Sequence, residues 1–287
     1  MHQGHPRGAL VFGAVAHVAE PATSQRWAAG VEYLGGRYAG WQRLAHIVSV
    51  QGSLEKALSV VADHPVEVVA AGRTDAGVHA LGQVVHFDTI ATRTPMAWLL
   101  GSNVHLPDDI SLRWVQPVAL DFHARHKAYA RRYRYVFHNS RARSALLLGR
   151  ASFWPRPLDA QAMHRAAQSL LGEQDFSALR DSECQSPTAM RNVSMVSVWR
   201  SGECVVIDIR ANAFLHHMVR NIAGTLAEVG QGKRPESWVA EVLASRNRAC
   251  AGMTAPPEGL TFIGPSYATE WGIPPAPEPW FPAVNPP

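Results

Sequence analysis

The hydrophobic positions of this chain fall into short runs whose spacing switches between a period of two and a helical period. Residues 27–34 read as a strand. Residues 49–62 read as an amphipathic helix with Val50, Leu54, Ala57, Leu58 and Val61 on one face, and either Ser49 or Ser53 can cap it. A β-branched run at 66–70 and an alternating run at 83–88 predict two further strands. Pro95 sits where a first helical turn tolerates proline, giving a helix at 95–104, and residues 110–117 form the next strand. The second half repeats the theme. It has a long strand at 126–138, a helix at 158–171, a hairpin pairing 192–200 with 204–210, helices at 215–229 and 235–245, and a closing strand at 260–267. Helices mixed with strands in this order define an α+β class.

The basic composition that begins near Phe122 suggests a boundary there, giving one α+β domain over residues 26–121 and another over 122–270. Residues 1–25 carry a short apolar run at 9–18, interrupted by His17, and read as a poorly ordered leader rather than a signal peptide. Residues 271–287 are rich in proline and read as an extended tail. The three cysteines, Cys184, Cys204 and Cys250, are scattered, so they give neither a disulfide framework nor a paired metal spacing, and they point to a reducing, cytoplasmic setting. No run approaches the roughly 20 apolar residues of a membrane span.

The net charge of +4 is mild, but its distribution is not even. Between Phe122 and Leu158 there is no acid, while Arg125, Lys127, Arg131, Arg132, Arg134, Arg141, Arg143, Arg150 and Arg156 all fall inside. Such a run implies an anionic partner or a strongly solvated surface. Tyr129, Tyr133, Tyr135, Phe137 and Phe153 are interleaved with it, which favours nucleic acid over a plain basic strand face. Alternation along 126–138 places Arg131, Tyr133 and Tyr135 on one face, with Arg132, Arg134 and Val136 on the other.

The chemistry concentrates in Ala71-Gly72-Arg73-Thr74-Asp75-Ala76-Gly77-Val78-His79-Ala80, between the strands at 66–70 and 83–88. Two glycines bracket a cation, a hydroxyl and a carboxylate on a loop that strand ends hold in place. Taken alone, such a stretch is also an ordinary strand connection. A calcium loop would need several oxygen ligands at alternating positions, and this one offers a single carboxylate. His79, His216 and His217 invite a metal hypothesis, but none stands in a spaced ligand set, so no metal is expected.

Residues 72–80 resemble the signature loop of the tRNA pseudouridine synthase A family. Four further segments match in the same order: Tyr38-Ala39-Gly40-Trp41-Gln42; Val50-Gln51 with Leu54-Glu55; Arg131-Arg132-Tyr133-Arg134-Tyr135; and Asn212 through Asn221. The likeness covers residues 28–270, and departs where Leu34 replaces the family's usual aspartate, a change expected to affect a turn and not the chemistry. The resemblance implies two ferredoxin-like subdomains with mainly antiparallel sheets facing a central basic cleft, the pseudouridine synthase fold. It implies isomerisation of uridine to pseudouridine at tRNA positions 38 to 40 in the anticodon arm, by a homodimer without cofactor.

On that resemblance Asp75 is the catalytic nucleophile, Arg220 its ionic partner and Arg73 the residue associated with flipping the target base. Tyr133 matches the active-site tyrosine, and Tyr38, Trp41 and Gln42 match a segment lining the active-site region. Arg131, Arg132 and Arg134 complete the RNA-binding set. A carboxylate suits the reaction because it can bond to, or neutralise, an electron-poor sugar carbon. The residues alone leave open whether it attacks sugar, adds to the base or first removes a proton. Two rivals remain at this point: a non-catalytic RNA-binding protein, for which Asp75 is dispensable, and a metal-dependent hydrolase built on the histidines.

Overall fold

The structure, a computed structural model, describes residue 1 and residues 23–279. The apolar run at 9–18 and the end of the proline-rich tail lie outside the described residues. In chain order the elements are β1 (Gln25–Tyr33), α1 (Val50–Ala62), β2 (Val69–Ala70), β3 (His79–Thr89), α2 (Pro95–His105), β4 (Ile110–Val118) and β5 (Ala130–His138). There follow β6 (Ser152–Phe153), α3 (Ala160–Ala167), β7 (Gly172–Asp175), β8 (Met190–Ser201), β9 (Cys204–Ala211), α4 (Met218–Gly230), α5 (Trp238–Ser245) and β10 (Leu260–Ser266).

Local chemistry explains where these elements begin. Ser49, not Ser53, caps α1, its Oγ accepting from the Gly52 N–H at 3.2 Å. Thr94 caps α2 ahead of Pro95, and Asp159 caps α3 by accepting from the N–H groups of Gln161 and Ala162. The expected strand at 66–70 shortens to β2 for a definite reason. The Val66 N–H donates to Ser59 Oγ at 2.9 Å and the Val68 N–H to Glu55 Oε1 at 3.1 Å, so side chains of α1 take the bonds a ladder would use. The expected helix at 215–229 starts only at Met218, because His217 is left-handed at φ 58.

The strands of both halves join one ten-stranded sheet in the order β4-β1-β3-β10-β5-β9-β8-β7, with β2 on β3 and β6 on β5. Pairing is mainly antiparallel, as expected. Strand β10 inserts between the halves, parallel to β3 and antiparallel to β5. Alternate residues divide the sheet's faces. Trp27, Phe87, Tyr133, Tyr135 and Ile207 enter one large core with Leu54 of α1, Trp98 of α2, Met163 of α3, Leu226 of α4 and Val242 of α5. The helices therefore cover the face that carries Tyr133. Ala28 and Val84 belong to a smaller cluster, and Val136, Trp199 and Val206 to another, on the opposite face.

His86 is buried on that opposite face at 4% exposure, its Nδ1 accepting from the Ala124 N–H at 3.1 Å. Burial, then the charges of Arg26 and His123, push its pKa down from 6.5 to about 4. Because the folded value lies below the unfolded one, this contribution is whole above pH 6.5 and is lost as pH falls toward 4. The loss is on the order of 3 kcal/mol. Melting temperature should therefore fall more steeply over that window in the wild type than in His86→Asn, which keeps an acceptor for Ala124. Equal slopes in the two proteins would exclude His86 as a source of acid sensitivity.

Candidate active site

The loop at 71–79 is held chiefly through its backbone. The Ala71 N–H donates to Val84 O at 2.8 Å, and Gln83 Nε2 donates to Gly72 O at 2.6 Å. Thr74 Oγ1 shares a hydrogen bond of 2.8 Å with Tyr33 OH inside the core, while Thr74 O accepts from the Trp41 N–H at 3.0 Å. The Val78 N–H closes a turn onto Asp75 O at 3.2 Å, so β3 can begin at His79, earlier than the alternation at 83–88 predicts. Gly40 has φ 99, and a Cβ there would lie 2.8 Å from Thr74 O, so glycine is required for the 38–42 segment to lie against the loop.

His79 acts as a latch. Its Nδ1 accepts from the Gly35 N–H at 2.9 Å, which leaves Nε2 to donate to Glu258 O at 3.2 Å. Burial pushes its pKa down, in keeping with a neutral ring. Leu34, exposed, precedes the short turn at Gly35–Arg37, and its N–H donates to Asp109 O at 2.9 Å.

Held this way, Asp75 presents a carboxylate that is 26% exposed. Arg220, from the first turn of α4, places Nη1 at 3.5 Å from Asp75 Oδ2. The Arg220 Nε donates to Ala255 O at 2.8 Å, and the Ala255 N–H returns a bond to Arg220 O at 3.1 Å. A Cβ on Gly224 would lie 1.7 Å from Met253 O, so this strap lies tight on α4 and fixes the guanidinium. His216 Nε2 stands 3.4 Å from Asp75 Oδ1, and His217 Nε2 stands 3.3 Å from Oδ2. Behind His217, Asp181 Oδ2 accepts from Nδ1 at 2.7 Å. The Asp181 carboxyl is held below its ordinary range, first by the Glu183 N–H and further by His217.

Tyr133 is buried on the helix-covered face, edge-on to Phe214 at 5.0 Å and tilted against Phe262 at 4.9 Å. Burial pushes its phenol pKa up, and the nearby charges of Tyr33 and Asp75 add to that push. The structure thus brings Asp75, Arg220 and Tyr133 together from three separate stretches of sequence. Arg73 lies exposed on the same loop. Tyr38 and Trp41 are buried behind it, with the Tyr38 phenol donating to Asp109 and the Trp41 ring 5.9 Å from Tyr33, whereas Gln42 is exposed.

The three strand arginines separate. Arg131 donates to four carbonyls, those of Ala128, Asn212, Ala71 and Arg125, and so ties β5 to the root of the loop. Arg132 and Arg134 point to the other face and converge on Asp208, whose side chain is 1% exposed. Arg132 bonds both carboxylate oxygens, at 2.8 and 3.0 Å, while Arg134 also lies 5.2 Å over the Trp199 ring. The counter-charge absent from the 122–158 stretch is therefore supplied by β9.

His216, His217 and Asp181 were not among the expected catalytic or binding residues. The two histidines do fall inside the 212–221 segment that carried the resemblance, so a signal was present. Asp181 has none, since only the fold brings it to the site.

The mixed, mainly antiparallel sheet with its helices on one face fits the pseudouridine synthase fold. The family model described as tRNA pseudouridine synthase matches residues 29–127 and 166–268. The chain is 55% identical over 250 residues to tRNA pseudouridine synthase A of Salmonella arizonae, covering 87% of this chain and 93% of that one. It is 56% identical over 251 residues to the protein of the same name from Xanthomonas oryzae pv. oryzae, covering 87% and 98%. A third relative of that name, from Aeromonas hydrophila, is 56% identical over 252 residues, covering 88% and 94%. The chain belongs to the tRNA pseudouridine synthase family.

Removing Asp208 would leave two guanidiniums, one of them buried, without their carboxylate. Asp208→Ala should lower unfolding free energy in urea by about 3–5 kcal/mol. A loss below about 1 kcal/mol would show that the cluster contributes no more than an exposed pair.

Proposed function

We propose that this chain isomerises uridine to pseudouridine in tRNA, with Asp75 as the nucleophile. The observation that carries this reading is the partly exposed Asp75 carboxylate on a braced loop, 3.5 Å from Arg220 and backed by Tyr133. The reaction breaks the bond between N1 of the uracil and C1′ of the ribose, and joins C5 to C1′. C5 loses a proton and N1 gains one, so nothing is oxidised and no cofactor is consumed. Asp75 captures the carbon electrophile, and the Arg220 guanidinium, 3.5 Å away, pairs with the carboxylate and holds it in place. Tyr133 offers the detached uracil a ring edge and a phenol that burial keeps protonated near neutral pH.

A base inside a helical arm must leave its stack to reach Asp75, at a cost of a few kcal/mol. Arg73, exposed two positions before Asp75, fills the vacated space in this reading. Residues 26–121 supply Asp75 and residues 122–270 supply Tyr133 and Arg220, so the target uridine lies between two α+β halves. Arg125, Lys127, Arg141, Arg143, Arg150 and Arg156 are exposed and suit phosphate contacts along the anticodon arm. The uridines at tRNA positions 38 to 40 are the expected targets, and a homodimer in the cytoplasm the expected form.

Tritium release from C5-labelled uridine in tRNA tests the reading. Wild type should release label with a chelator present, whereas Asp75→Asn should release none while still binding tRNA. Arg73→Ala should slow release with little change in stability. Mapping of the product should place pseudouridine at positions 38 to 40, and sedimentation should give twice the chain mass. Binding without release by the wild type would leave an RNA-binding protein in place of the enzyme.

A further inference from the structure

His216 and His217 are consecutive, and consecutive side chains ordinarily diverge. Here the left-handed backbone of His217, at φ 58, turns both rings to the same carboxylate. The rings stack with centroids 3.9 Å apart and planes 27° from parallel. Asp181 then orients the His217 ring. A carboxylate only accepts, so His217 Nδ1, at 2.7 Å, carries the proton toward Asp181. Nε2 of the same ring stands 3.3 Å from Asp75 Oδ2.

An imidazole facing a ligand carboxylate, with its outer N–H held by a second carboxylate, is the arrangement found around bound zinc. Zinc bonds of about 2.0–2.1 Å at tetrahedral angles set ligand atoms roughly 3.3 Å apart. His217 Nε2 stands 3.3 Å from Asp75 Oδ2 and His216 Nε2 3.4 Å from Oδ1, so each imidazole faces its own oxygen of one carboxylate at about that separation. One ligand atom from each of the three residues lies within 4.8 Å of the others. Imidazole donors select a late first-row ion over magnesium or calcium.

We propose that Asp75, His216 and His217 form a zinc site oriented by Asp181, and that zinc bound there blocks the enzyme reversibly. The block rests on the reading of Asp75 as nucleophile, whereas the binding does not. Coordination engages the carboxylate oxygens that would attack carbon. The Arg220 guanidinium, 3.5 Å from Asp75, repels a dication and keeps the site from becoming a permanent structural centre. Side-chain exposures of 26%, 36% and 22% leave an entry path for an ion, and the same opening serves a flipped uridine. Zinc and tRNA are therefore competitors.

The test begins without substrate. Cobalt(II) added to metal-free full-length protein should give the visible absorption of a tetrahedral site at one equivalent, and zinc should displace it. His216→Ala and His217→Ala should abolish the band, and Asp181→Asn should weaken cobalt affinity about 10–100-fold, with melting curves confirming that each variant is folded. Prior addition of tRNA should lower the apparent affinity. Zinc should stop tritium release by the wild type, and a chelator should restore it. No cobalt band, or a band unchanged in His217→Ala because other histidines or the exposed Cys250 hold the ion, overturns the site. A band without inhibition overturns the block. Failure of Asp75 as nucleophile would show separately, as activity retained by metal-free Asp75→Asn.

Discussion

Asp75 is positioned by bonds that its own side chain does not make. The carbonyl of Thr74 is held by Trp41, the hydroxyl of Thr74 by Tyr33, the carbonyl of Gly72 by Gln83 and the carbonyl of Ala71 by Arg131. Each anchor belongs to a different stretch of chain: the 38–42 segment, β1, β3 and β5. The carboxylate is thereby fixed from behind while its oxygens stay turned to the opening. A side chain held by its own hydrogen bonds would have to surrender them to react. Here the backbone of the loop carries most of the constraint.

The second face of the site obeys the same logic. Arg220 is aimed by the carbonyl of Ala255, and His217 by the carboxylate of Asp181, so two of the three groups that face Asp75 are gripped from the far side. Strand β5 separates two electrostatic environments by simple alternation. Tyr133 looks into the reaction side and Arg134 into a buried ion cluster with Asp208. A one-residue slip of β5 against β9 would exchange them, which makes the Arg–Asp208 cluster a check on register as much as a source of stability.

Much of this was readable from the sequence. The helices expected at 49–62 and 95–104 agree with α1 and α2 to within a residue, the first because its hydrophobic stripe is clear and the second because Pro95 marks a first turn, while the choice of Ser49 over Ser53 as cap comes from the structure. The strand expected at 66–70 is longer than the one observed, since hydrogen bonds from the Val66 and Val68 N–H groups to Ser59 and Glu55 leave no mark on local periodicity. Candidate residues on the 71–80 and 212–221 segments were legible as chemistry, and Asp75 and Arg220 do meet. The acid-free stretch does not reveal that Arg132 and Arg134 share Asp208, which is distant in sequence and opposite Arg134 in the sheet. Asp181 was invisible for the same reason: its partner His217 is reached only through the fold.

Strand β10 has a consequence for how the chain acquires this form. It fills the gap between β3 and β5, yet it is among the last described segments to be synthesised. Until it emerges, two inner strands each keep a row of unpaired amides and carbonyls, the condition under which strands recruit wrong partners. Closing the gap joins His79 to residue 261, a contact spanning most of the chain, and such distant pairings are slow to form. The loop that bears Asp75 abuts that junction. An incomplete chain therefore has the sequence of the Asp75 loop before it has its geometry, and the site is assembled only when the sheet is closed.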